Sequence, residues 1–156
     1  IMTKVIEEYK RFTFKVTTQI STSRELNRVS PNNIAERSTR YCNYSKDKFN
    51  NQISICKPYY YDNLEIADQL AFINRMSEYE SNYLNRINRG WSPEDAREFL
   101  PLCTATEVIY TYTVKEWRHI IDLRYYGTTG KPHPNAKIIA GLIRDQLIYL
   151  GYKFRD

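Results

Sequence analysis

Apolar side chains recur along this chain with two different periods, and the switches between the periods mark out its elements. Phe12, Phe14 and Val16 alternate with polar neighbours over residues 12–17, the spacing of a half-buried strand. Ser21-Thr22-Ser23 offers hydroxyl caps ahead of Arg24-Glu25-Leu26, which predicts a short helix interrupted by a loop at Pro31 and Asn32-Asn33. Residues 40–45 read as a second strand, continued by residues 52–55 after a turn rich in Lys, Asp and Asn. Leu64, Ala67, Leu70, Ala71, Met76, Tyr79, Tyr83, Leu84 and Ile87 change to helical spacing, so a long helix is predicted over residues 64–89, capped by Asp62 or Asn63 and stopped by Gly90. Ser92-Pro93-Glu94-Asp95 opens another helix with a serine cap, a first-turn proline and two acids at the positive end of the dipole; Leu100-Pro101 keeps it brief. Residues 104–113, rich in Thr, Val, Ile and Tyr, predict a strand. Thr113 and Glu116 then have capping-box spacing for a helix to about residue 124. After a loop at 127–132, Pro134 opens a last helix carrying Ile138, Ile139, Leu142, Ile143, Leu147 and Leu150, with Gly151 just past its end. The class predicted is α+β, a mixed α/β single domain over residues 1–156 with a small sheet packed by the long helix and the C-terminal helices.

Composition narrows this picture more by exclusion than by assignment. A chain of 156 residues is expected to form one domain with a modest core. The formal charge of +5 is compatible with an anionic ligand and equally with an ordinary basic surface. No run of about five like charges marks an arm for a nucleic-acid polymer. The 14 tyrosines, with Tyr59, Tyr60 and Tyr61 consecutive, suit subunit contacts, although abundant Asn, Ile and Lys make codon bias the simpler explanation. Cys42, Cys56 and Cys103 have no Cys-x-x-Cys spacing, so reduced thiols and a cytoplasmic location are expected. His119 and His133 are too few for a histidine metal cluster, and no metal site is expected. No apolar stretch approaches the roughly 18 residues of a membrane span. The N-terminus has no signal pattern; it opens on Ile1-Met2 and runs soon into a strand-like segment, as a trimmed chain would.

Chemistry enters through arginines. A guanidinium fork matches the geometry of a phosphate, so arginines that converge make an anion site. Ser38 and Arg40, two apart, point the same way if their segment is extended. Arg97 falls near the end of the brief helix and Arg124 at the end of the one that begins near Thr113. On pattern alone, a solvated surface role is the commoner one for each.

The run from Arg28 to Tyr41 reads Arg-Val-Ser-Pro-Asn-Asn-Ile-Ala-Glu-Arg-Ser-Thr-Arg-Tyr. It resembles the signature of the flavin-dependent thymidylate synthases, with Arg28, Glu36, Ser38, Arg40 and Tyr41 in register. Val29 and Ser30 stand where that family has His and Arg, and Asn33 stands where it has Ser. Further ordered matches are Phe12-Thr13-Phe14, Arg97 three residues before Leu100-Pro101, and Leu123-Arg124, so the likeness covers nearly the whole chain. The resemblance implies a homotetramer with sites at subunit interfaces that methylates dUMP to dTMP, using FAD, NADPH and methylenetetrahydrofolate. It implies a dUMP site of Glu25, Arg28, Glu36, Ser38, Arg40, Arg97, Leu123 and Arg124, with Arg124 assisting ionisation of the uracil ring. It implies FAD contacts from Arg28, Thr113, Lys115, His119 and His133, with Thr113 and Lys115 replacing the family's Asn and Arg. Arg37 is a further cation that can turn toward a pyrophosphate. Two other readings stay open: a homologue that binds a nucleotide without flavin chemistry, and a protein that keeps only the oligomeric fold.

Overall fold

The computed structural model describes residues 2–155, which form two compact units: residues 2–16, 22–35 and 108–155 in the first, 17–21 and 36–107 in the second. The regular elements are β1 (Arg11–Gln19), α1 (Ile20–Asn27), β2 (Ile34–Glu36), α2 (Ile66–Asn88), α3 (Pro93–Ala96), β3 (Ala105–Thr113), α4 (Val114–Ile121) and α5 (Pro134–Tyr149). One three-stranded sheet has the order β1-β3-β2, with the β-rich stretch at 105–113 as its middle strand. Both neighbours run antiparallel to β3. The Val114 N–H donates to Lys10 O and the Ile20 N–H to Thr104 O, so numbers fall on one strand as they rise on the other. On the other side the Arg37 N–H donates to Glu107 O and the Thr111 N–H to Asn33 O.

The alternation along β3 explains the first unit's core. Val108, Tyr110 and Tyr112 are buried with Trp117, Ile120 and Ile121 of α4 and with Ala136, Ile139, Ile143 and Leu147 of α5. The α4 start is the capping box read from the sequence: Thr113 Oγ1 accepts from the Glu116 N–H at 3.2 Å, and Glu116 Oε2 accepts from the Thr113 N–H at 2.8 Å. Where α4 was expected to continue to residue 124, the chain widens into a π-helical turn, Asp122–Tyr126. Gly127 ends it at φ 69°, and a Cβ there would lie 2.9 Å from both Gly130 O and Pro132 Cδ.

The second unit is built on α2. Its one buried residue is Tyr83, which packs with Cys42, Tyr44, Ile53 and Ala96. The Tyr83 hydroxyl donates to Cys42 O at 3.2 Å and accepts from the Tyr44 N–H at 3.4 Å. Burial, with Cys42 adding to it, pushes the Tyr44 phenol up to about 12.

Four expectations are corrected. The helix after β1 begins at Ile20, so Ser21, Thr22 and Ser23 lie inside it, and the last two are buried rather than capping. Residues 40–45 are turns and irregular chain, and residues 52–55 contribute only an antiparallel bridge from Ile55 to Thr104; the short third strand is β2. The Tyr44 and Ile53 side chains that suggested strands serve instead as a buried bed for α2. Neither Asp62 nor Asn63 caps α2, because both lie in a separate 3-10 turn and Glu65 takes the N-cap position.

Candidate functional site

The second unit holds Glu36, Ser38, Arg40 and Arg97. Glu36 closes β2 and is exposed. Past it the chain turns rather than extending, so the expected parallel aim of Ser38 and Arg40 gives way to a local turn: Ser38 Oγ accepts from the Arg40 N–H at 3.3 Å. Arg40 spreads its fork on Glu94 of α3, with Nε 2.7 Å from Oε1 and Nη2 3.3 Å from Oε2. Its guanidinium carbon lies 5.4 Å from the centre of the Tyr41 ring. The acids of α3 divide their roles. Asp95 accepts from the Ser92 hydroxyl at 2.7 Å while Ser92 caps the helix, which leaves Glu94 to Arg40. Arg97 follows Glu94 by three residues, where α3 tightens into a 3-10 turn; it is half-buried, and among the described residues its guanidinium has no hydrogen-bond or ion-pair partner. Arg37 is not available as a spare cation, because it pairs with Glu107.

The first unit holds Glu25, Arg28, Thr113, Lys115, His119, Leu123, Arg124 and His133. The π-helical turn carries Leu123 and Arg124. Such turns insert an extra residue into the helical ladder and re-aim the side chains that follow, and they recur at functional sites. Arg124 is held on α1: Nη2 donates to Glu25 O at 3.3 Å, and Nε lies 3.4 Å from Glu25 Oε1. That ion pair is close but poorly aligned, and among the described residues the buried Nε–H has no hydrogen-bond acceptor.

Thr113, Lys115 and His119 come together in one cleft of about 480 Å³, with Val29 and Ser30 of the signature on its wall. Tyr9, Arg11 and Glu116 complete it. The Lys115 ammonium lies 5.9 Å from the centre of the Tyr9 ring. Thr113 Oγ1 is committed to Glu116, and the Ser30 carbonyl accepts from the Tyr112 hydroxyl. Arg28 is exposed and does not line the cleft, nor does His133, whose Nδ1 accepts from the Asn135 N–H at 3.3 Å to cap α5. Arg11 and Tyr9 were missed in the sequence; the one available signal was a basic pair, Lys10-Arg11, at the head of an alternating strand.

The cysteines are not poised for nucleophilic chemistry. Cys42 is buried, and burial raises the Cys56 and Cys103 thiols above their ordinary range, so neither is a thiolate near neutral pH. Among the described residues no group of three or more His, Cys, Asp or Glu is placed to hold a metal ion, and no helix is long and apolar enough to cross a membrane.

Fold and site together define an α+β protein with arginines paired to carboxylates at the candidate positions and no poised thiolate. The chain matches the model of the thymidylate synthase complementing protein family over residues 3–147 and belongs to that family. No curated protein matches it. Among solved structures it is similar to the UMP/dUMP methylase PolB from Streptomyces cacaoi bound with 5-Br dUMP, with a TM-score of 0.74 and 19% identity over 92% of this chain and 69% of that one. The same enzyme bound with 5-Br UMP gives a TM-score of 0.72 at 19% identity, over 92% and 71%.

Proposed function

We propose that this chain is a dUMP methyltransferase that turns dUMP, methylenetetrahydrofolate, NADPH and a proton into dTMP, tetrahydrofolate and NADP⁺. Family membership and the likeness to a UMP/dUMP methylase fold support the substrate. The observation that carries the reading to residues is Arg124, fixed on a π-helical turn by Glu25 with 19% of its side chain still exposed. A uracil oxygen or ring nitrogen meets the part of this side chain that stays exposed, and the guanidinium then stabilises negative charge as the ring ionises. Glu25 keeps the side chain oriented, and Leu123 offers an apolar edge to the base. Ser38, Arg40 and Arg97 receive the phosphate, with Arg28 and Glu36 orienting the nucleotide. A homotetramer would complete each site by bringing the phosphate and base ends together from different subunits.

The cleft beside Thr113 fits the anionic part of FAD. Arg11 and Lys115 place two cations there for a pyrophosphate, and His119 adds a ring on the same wall. FAD supplies the hydride relay from NADPH when bound. The chain's part is to hold it, exclude water and keep the nucleotide aligned. A second reading, a nucleotide-binding homologue without flavin chemistry, is favoured by Val29, which gives the cleft no donor, and by the commitment of the Thr113 hydroxyl to its helix cap. Flavin absorbance of the purified protein separates the two.

Calorimetry with dUMP tests the substrate assignment. Arg40→Ala and Arg97→Ala should each remove a charge-assisted bond of about 1.5–3 kcal/mol, or roughly 10- to 150-fold in affinity. Unchanged affinity in both variants rejects the site.

A further inference from the structure

We propose that Glu94 is a resident anion on Arg40, a carboxylate that seats in the guanidinium fork and that the phosphate of an incoming nucleotide must displace. The proposal rests on the reading of Arg40 as a phosphate ligand and adds a residue which that reading does not contain.

The geometry is that of an anion in its receptor. Two carboxylate oxygens face two nitrogens of one fork, at 2.7 and 3.3 Å, which is the arrangement a phosphate oxygen pair adopts on arginine. The pair is poorly suited to a structural role. The two side chains retain 48% and 47% of their exposure, and exposed pairs add little to stability. Two half-buried pairs differ: Arg37 with Glu107 and Arg124 with Glu25 are all at or below 32% exposed. Glu94 is also spared from holding its own helix, since Ser92 and Asp95 provide the cap.

The next turn of the same helical stretch carries a second cation. Arg97 lies three residues after Glu94, on the same side of a continuous helical stretch, and its guanidinium has no partner among the described residues. Arg40 and Arg97 together carry two positive charges against one carboxylate. A phosphomonoester dianion satisfies both where Glu94 satisfies one. Swinging Glu94 out of the fork is cheap because both groups are already half in water. Glu94 would therefore lower affinity for the phosphate while keeping Arg40 extended and folded against the Tyr41 ring, ready for exchange.

The test is calorimetry of the full chain with dUMP and with deoxyuridine, which shares the base and sugar but has no phosphate. Glu94→Gln keeps the side-chain length and removes the charge, and Glu94→Ala serves as a second variant. Both should bind dUMP about 3- to 10-fold more tightly than the unmodified chain, with deoxyuridine affinity and melting temperature unchanged. Equal or weaker dUMP binding in both Glu94 variants overturns the proposal, as does an equal gain for deoxyuridine. If Arg40→Ala binds dUMP as well as the unmodified chain, the phosphate reading of Arg40 fails first. If Arg40→Ala weakens binding while the Glu94 variants leave it unchanged, only the role of Glu94 is lost.

Discussion

Single side chains divide this protein's chemistry between what is ready and what is missing. Arg124 is oriented by Glu25 and keeps part of its side chain exposed, the part open to a ligand. The cleft beside it in sequence is less complete. Where the family signature has two hydrogen-bonding cationic or imidazole side chains, Val29 offers none and Ser30 offers no charge. If the cleft takes FAD as proposed, each missing charge-assisted contact would lose about 1.5–3 kcal/mol, and Arg11 and Lys115 on the cleft wall would restore part of that to a pyrophosphate. FAD is therefore expected to bind in the micromolar range or weaker and to dissociate during purification. Titration of the unmodified chain with FAD, followed by flavin fluorescence, checks this; submicromolar binding contradicts it.

At the scale of elements, the long helix α2 shows how little of its surface the second unit uses. Tyr83 is wholly buried and its hydroxyl joins two backbone groups of the 42–44 turn. Tyr83→Phe leaves the Tyr44 N–H and the Cys42 carbonyl without that partner, and should cost about 1–2 kcal/mol, a fall of roughly 2–4 °C in Tm per kcal/mol for a chain of this size. A melt within 1 °C of the unmodified protein would show that water replaces the hydroxyl (about the resolution of the shift expected for a few tenths of a kcal/mol). Elements with strong local signals were legible before any coordinates. The Ser92-Pro93 start, the Thr113–Glu116 box and the Pro134 start all open helices where their side chains demand it. What escaped was set by tertiary context. The apolar residues Tyr44 and Ile53 look like strand positions, yet they line a loop that α2 covers. The π-helical turn has no local signature, because its extra residue depends on how the chain leaves α4 for Gly127. At the site, the motif residues were legible in register, whereas the carboxylate partners of Arg40 and of its neighbour Arg37, Glu94 and Glu107, lie 54 and 70 residues away and no spacing rule connects them.

For the whole molecule, assembly decides whether the two ends of a site can meet. Ile66, Leu70 and Ile73 recur at helical spacing along α2 and are all exposed, as are Tyr41, Tyr59 and Tyr60. An apolar stripe of this kind is ordinarily covered by a partner, and a second copy of the chain is the partner that a site shared between subunits requires. Light scattering at micromolar concentration should give the mass of four chains; a monomer would remove the shared-site arrangement. The central claim, that this chain methylates dUMP, is tested most directly by product. The purified protein, incubated with dUMP, methylenetetrahydrofolate, NADPH and FAD at millimolar concentration to offset weak binding, should form dTMP, and Arg124→Ala should reduce the rate by about 100-fold or more, the scale of losing one charge-stabilising donor. No dTMP from the unmodified chain under these saturating conditions would contradict the account and move the protein to a nucleotide-binding role without flavin chemistry.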